Sequence, residues 1–74
     1  MKRDAFELLA AVAAGEVPRT AGERLGIHPK RVAAILDKWQ RRGWYEYGVA
    51  LDLGWLTDAG RERFQQGNNN GGEQ

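Results

Sequence analysis

The sequence predicts a mainly α chain with one small β-hairpin: a three-helix core, a two-stranded hairpin and a short C-terminal helix. Three observations predict it. Two stretches with helical apolar spacing meet across Gly26-Ile27-His28-Pro29, which reads as two helices around a tight turn. A run of aromatic and aliphatic residues from 44 to 57 is interrupted by Gly48 and Asp52, as in a hairpin. Thr57 and Asp58 then open a polar stretch with helix-starting chemistry.

The first helix is expected from Arg3 to Ala14, because alanine and leucine are strong helix formers, and Gly15 ends it. Phe6, Leu9, Ala10 and Ala13 share one face, which Leu8 and Val12 widen. A face this broad suits packing against both following helices and the last one, with a subunit interface as the alternative. Glu16 and Val17 form a link, in which Val17 is expected to make a one-residue bridge to the hairpin.

The second helix runs from Pro18 to Leu25. Proline suits a first helical position, where its missing N–H has no partner to lose. Gly26 takes the left-handed conformation of a C-terminal cap, and Ile27 fills the corner. The third helix runs from Pro29 to Arg42 and ends at Gly43. Val32, Ile35, Leu36 and Trp39 line its inner face, and Lys30, Arg31, Ala33, Ala34, Asp37, Lys38 and Arg41 face outward. Gly22, small and central in the second helix, allows the third to pack closely, as a helix-turn-helix requires.

Strands are expected over Trp44–Tyr47 and about Leu53–Thr57. Alternation puts Trp44 and Glu46 on one face and Tyr45 and Tyr47 on the other, with Leu56 toward the core and Trp55 away. Tyr45, Tyr47 and Trp55 are then expected to form an aromatic patch. The tip, Gly48 to Asp52, is short and apolar and carries no base. The last helix is expected from Asp58 to Gln66, capped by Thr57, with Leu56 and Phe64 as core contacts. The tail 67–74, GNNNGGEQ, has the composition of a disordered segment, leaving one domain over 1–66.

AGERLGIHPKRVAAILDKWQRRGW resembles the core of bacterial winged helix-turn-helix transcription regulators of the MarR and PadR kind. Those read as a small-residue helix, "RLG", a hydrophobic residue, a polar–Pro turn, and a recognition helix ending "RG" before a strand. GWLTDAGR, Gly54 to Arg61, resembles the "LTxxGR" that closes the wing in that family. The resemblance covers Ala5 to Phe64 and implies a winged helix-turn-helix fold, double-stranded DNA as partner and transcription regulation as function. Against the family pattern, Ala21 stands where a leucine is usual, and Trp39, also usually leucine, is large enough to fill the space. The basic wing tip and the long dimerisation helices of such regulators are missing.

Charge is distributed in keeping with that partner. The chain carries only +1 overall, but from Arg19 to Arg42 seven bases stand against Glu23 and Asp37, a local +5. From Gly43 to Asp58, Glu46, Asp52 and Asp58 stand against no base, a local −3. A helix in the major groove reads bases with its N-terminal outward residues. Lys30, Arg31, Ala33 and Ala34 are therefore the expected base contacts, the two cations preferring guanine and the alanines meeting thymine methyls. Arg19, His28, Lys38, Arg41 and Arg42 are the expected phosphate contacts, with a plain turn role as the alternative for His28. The competing expectation is a protein-interaction module that uses Tyr45, Tyr47, Val49, Leu51 and Trp55.

Other classes find little support. With no cysteine and one histidine, no metal or cofactor is expected. No acid–base pair or nucleophile constellation suggests an enzyme. So small a core leaves little room for a ligand pocket of roughly 300 Å³. No apolar run approaches a membrane span or a signal peptide, so a soluble intracellular protein is expected, and the resemblance implies the bacterial cytoplasm, at the nucleoid. A phage or mobile-element regulator or a recombination accessory factor fits the size, with a homodimer or protein partner to extend a single module.

Overall fold

The structure, a computed structural model, describes residues 1–72 and, over 68–72, the backbone alone. The described elements are α1 (Arg3–Ala13), α2 (Pro18–Leu25), α3 (Pro29–Arg41), β1 (Tyr45–Glu46), a 3₁₀ turn (Leu51–Leu53), β2 (Trp55–Leu56) and α4 (Asp58–Gly72). The two strands pair antiparallel. A mainly helical chain with one small hairpin is compatible with a winged-helix-like fold.

Helix α1 ends at Gly15, whose φ of 102° lies in the left-handed region. Its core face differs from the expected one. Ala5, Leu8, Leu9, Ala11 and Val12 are buried, while Phe6, Ala10 and Ala13 are only partly so. The reason is that α2, β2 and α4 all pack on α1. Leu8 and Val12 become central, and Phe6 moves to the edge, where its ring meets Phe64 of α4 at 5.9 Å between centroids. The expected bridge at Val17 is not formed; Val17 is the extended residue that precedes α2.

Helices α2 and α3 are joined by the expected tight turn. Gly26 adopts φ 72°, ψ 26°, and the Gly26 and Ile27 amides donate to the Glu23 and Gly22 carbonyls at 3.1 and 2.9 Å. His28 caps α3, its Nδ1 accepting from the Lys30 amide at 3.1 Å. A Cβ on Gly22 would lie 2.7 Å from Val32 Cγ2, so the glycine sets how closely the helices approach. Val32, Ile35, Leu36 and Trp39 are buried on the inner face of α3, as expected. Ala21 and Trp39 belong to the same core cluster.

The hairpin is shorter than expected. Only Tyr45 pairs with Leu56 and Glu46 with Trp55. This register puts Tyr45 on the inner face beside Leu56, and Tyr45 is 1% exposed. The aromatic patch of Tyr45, Tyr47 and Trp55 is therefore not formed. Tyr45 instead meets Trp39 edge-on, with centroids 6.4 Å apart. Its hydroxyl donates to the Leu51 carbonyl at 2.5 Å and accepts from the Gly54 amide at 2.8 Å. These bonds turn the connecting segment inward, and its 3₁₀ turn packs on α2 and α3. Burial pushes the Tyr45 phenol up to about 12, so the hydroxyl stays protonated as that network requires.

Thr57 joins the hairpin to α4. Its Oγ1 accepts from the Gly60 amide at 3.1 Å, the cap read from the sequence, and donates to the Gly43 carbonyl at 2.6 Å. Its amide donates to the Trp44 carbonyl at 2.9 Å. Gly60 is buried against that carbonyl, where a Cβ would not fit. Helix α4 continues to Gly72, past the expected end at Gln66 and through the first part of the 67–74 tail. Gly67 lies against α1, where a Cβ would stand 3.3 Å from Phe6 Cε1, so tertiary contact backs the turn at which the helix was expected to stop. Residues 73–74 lie outside the described part.

Two variants test this packing. Gly22→Ala gains roughly 1 kcal/mol of helix propensity, but Val32 is β-branched and stiff, so overpacking at about 1–3 kcal/mol wins. Urea denaturation is expected to show net destabilisation, and Gly22→Ala/Val32→Ala is expected to lose less than the two single variants added. Tyr45→Phe strips a partner from the Leu51 carbonyl and the Gly54 amide and is expected to cost about 1–3 kcal/mol in the same assay.

Candidate nucleic-acid interface

The outward face of α3 carries Lys30, Ala33, Ala34, Lys38 and Arg41, all exposed. The inner apolar residues fix the helix's rotation, and the two alanines leave the middle of this face low. Lys30 lies in the first turn and Lys38 in the last, with Ala33 and Ala34 between them and Asp37, beside Lys38, paired with Arg41.

The other bases of the sequence-positive segment are largely paired. Arg31 reaches across to α1, with Nε and Nη2 donating to the two Asp4 carboxylate oxygens at 2.9 and 3.0 Å. This is a bidentate, charge-assisted pair. Arg19 makes the same kind of pair with Asp52 of the 3₁₀ turn, at 2.9 Å for each bond. Arg24 is bound by Glu16 at 2.7 Å, and Arg41 by Asp37 one turn earlier at 2.9 Å. Three of these four acids lie outside the α2–α3 segment, so the local +5 of the sequence is not a +5 surface. Among the described residues, no carboxylate pairs with Lys30, Lys38 or Arg42 of that segment.

The expected contacts therefore divide. Lys30, Ala33, Ala34 and Lys38 are brought together on an open face. Arg31 is half-exposed and committed to Asp4, and Arg19 is committed to Asp52. His28 is exposed, but its Nδ1 serves the α3 cap. Arg42 lies at the end of α3 with its guanidinium 5.2 Å from the Trp44 ring centroid. Of the residues expected at a protein interface, Tyr45 is buried and Leu51 packs against the core. Tyr47, Val49 and Trp55 are exposed, Val49 at 96%.

Sequence reasoning missed Lys2 and Arg63. Both line an open groove of about 440 Å³ beside α3, together with Lys38 and Arg42. Arg63 lies 5.6 Å from the Trp44 centroid. Neither residue falls in the basic segment, and only the fold brings them next to it. Among the described residues, no three His, Cys, Asp or Glu side chains gather as a metal site, and no helix is long and apolar enough to cross a membrane.

The paired carboxyls have a consequence in acid. The Arg31 and Arg19 guanidiniums hold Asp4 and Asp52 below their ordinary value of 3.8. A lowered carboxyl adds stability that is fully present above its unfolded value and is lost as pH falls through its folded value. Stability is therefore expected to decline below about pH 4. Asp4→Asn/Asp52→Asn is expected to show a shallower decline between pH 5 and pH 3 in chemical denaturation; an unchanged slope would contradict the assignment.

No protein-family model matches the chain, and no curated protein or solved structure is significantly similar to it.

Proposed function

We propose that the chain binds double-stranded DNA through the outward face of α3, as a small transcription regulator without chemistry of its own. One observation carries the reading: a helix-turn-helix whose second helix keeps Lys30, Ala33, Ala34 and Lys38 exposed while its opposite face is fully buried. A helix with side chains is about 10–12 Å across, and the major groove is about 12 Å wide. In that groove Lys30, at the helix start, takes the leading base-reading role, with guanine O6 and N7 as its best acceptors. Ala33 and Ala34 let the backbone approach and meet thymine methyls. Lys38 and Arg42 suit phosphates. Arg31 reads a base only by leaving Asp4, so it stands second to Lys30.

The hairpin has a different part in this reading from the wing of a MarR-like regulator. Its connection is tied to α2 through Arg19–Asp52 and has no base at its tip, so minor-groove contact is not proposed. A single module covers about 600–1,000 Å² on DNA, and useful specificity then calls for paired half-sites. A second reading, a protein-interaction module, rests on Val49 at 96% and Trp55 at 50% exposure on the hairpin.

NMR titration of the labelled protein with a mixed-sequence duplex tests both. The DNA reading expects amide shifts over residues 30–38 that fade with added salt. Their absence at low salt, with a partner shifting Tyr47, Val49 and Trp55, would favour the second reading. In fluorescence anisotropy, Lys30→Ala is expected to cost about 1–3 kcal/mol at its preferred base pair and to relax preference there. Lys38→Ala is expected to weaken all sequences alike and reduce the salt slope by about 0.9.

A further inference from the structure

We infer that the bound duplex is also held by a second group of cations, Lys2, Arg42 and Arg63, which line the groove beside α3 and receive the phosphates of one DNA strand. This rests on the DNA reading above. The groove has a volume of about 440 Å³ and is lined by Lys2 of the chain start, Ala34 and Lys38 of α3, Arg42, Trp44 and Arg63 of α4 among others. Ala34 and Lys38 are also on the outward face of α3, so the groove is that face's flank rather than a separate surface.

The position suits a phosphate strand. When a helix fills the major groove, its outermost residues meet base edges and its flanks meet the strands that wall the groove. The flank of α3 on this side is continued by the chain start and by α4, and each supplies a cation. No carboxylate lines the groove among the described residues. Its one paired cation, Arg31, belongs to the Asp4 pair.

Trp44 prepares the site. The Arg42 and Arg63 guanidiniums lie 5.2 and 5.6 Å from its ring centroid. Attraction to an aromatic face orients a guanidinium without cancelling its charge. The contrast with Arg19, Arg24, Arg31 and Arg41 is direct: those four spend their charge on carboxylates, whereas Arg42 and Arg63 are held by an indole and keep theirs for an external anion.

The test is the salt dependence of duplex binding by the full chain, read by anisotropy, for wild type, Lys30→Ala, Lys2→Gln/Arg63→Gln and Arg63→Lys. Thermal melts check that each variant is folded. Each phosphate contact contributes about 0.9 to the slope of log K against log salt, so Lys2→Gln/Arg63→Gln is expected to lower the slope by about 2, equally on every duplex. Arg63→Lys is expected to keep the wild-type slope, because a phosphate accepts a lysine point charge, while an indole-packing role alone would leave the slope unmoved in all Arg63 variants. If wild type binds and Lys30→Ala weakens it but Lys2→Gln/Arg63→Gln keeps the slope, the groove proposal is overturned and the α3 reading stands. If wild type binds no duplex at low salt, both fall.

Discussion

The close approach of α2 to α3 at Gly22 is the constraint on which the rest depends. A methyl group at that point would run into Val32 Cγ2, so only glycine lets α3 lie against α2 at this separation. Once α3 is seated there, its rotation is fixed by Val32, Ile35, Leu36 and Trp39, all buried. The outward face follows as the complement of that buried stripe. Trp39 extends the constraint to the hairpin through its edge-on contact with Tyr45. Local chemistry holds the turn in place, with Gly26 in the left-handed region and His28 capping the helix that follows.

The hairpin and α4 are organised by few groups, each used more than once. The Tyr45 hydroxyl both donates and accepts, and so folds the connecting segment back toward the helices. Thr57 caps α4 with the same oxygen that donates to Gly43, at the end of α3. Gly60 allows the first turn of α4 to rest on the Trp44 carbonyl. The Leu-Thr-x-x-Gly spacing thus has a physical content independent of any family: a core anchor, a cap, and a position without a side chain where two backbones meet.

The electrostatics separate into a neutralised part and an open part. Arg19, Arg24, Arg31 and Arg41 tie elements or turns together through carboxylates. These pairs are substantially exposed, and their contribution to stability is correspondingly modest. Their larger effect is on where positive charge remains. Lys30 stands exposed at the start of α3, while Lys2, Lys38, Arg42 and Arg63 line one groove with Trp44. The positive charge left unpaired by carboxylates is therefore narrower than the basic segment of the sequence.

Much of the architecture was determined by the sequence alone, because it depends on local rules. Pro18, Gly26, Pro29 and Gly43 mark helix limits through backbone geometry, and the inner face of α3 is visible in the spacing of Val32, Ile35, Leu36 and Trp39. The Thr57 cap and the role of Gly22 were legible for the same reason. Tertiary structure decided what depends on partners distant in the chain. Strand alternation in 44–47 says which residues share a face but not which face is inward; the pairing of Tyr45 with Leu56 settled that, burying the tyrosine. The core stripe of α1 was chosen by the elements packed on it, and α4 ran on to Gly72 past the point where composition suggested a stop. Asp4 lies 27 residues from Arg31, and Asp52 lies 33 from Arg19. No count of charge within a window can find such pairs, because charge cancels between neighbours in space and not between neighbours in sequence.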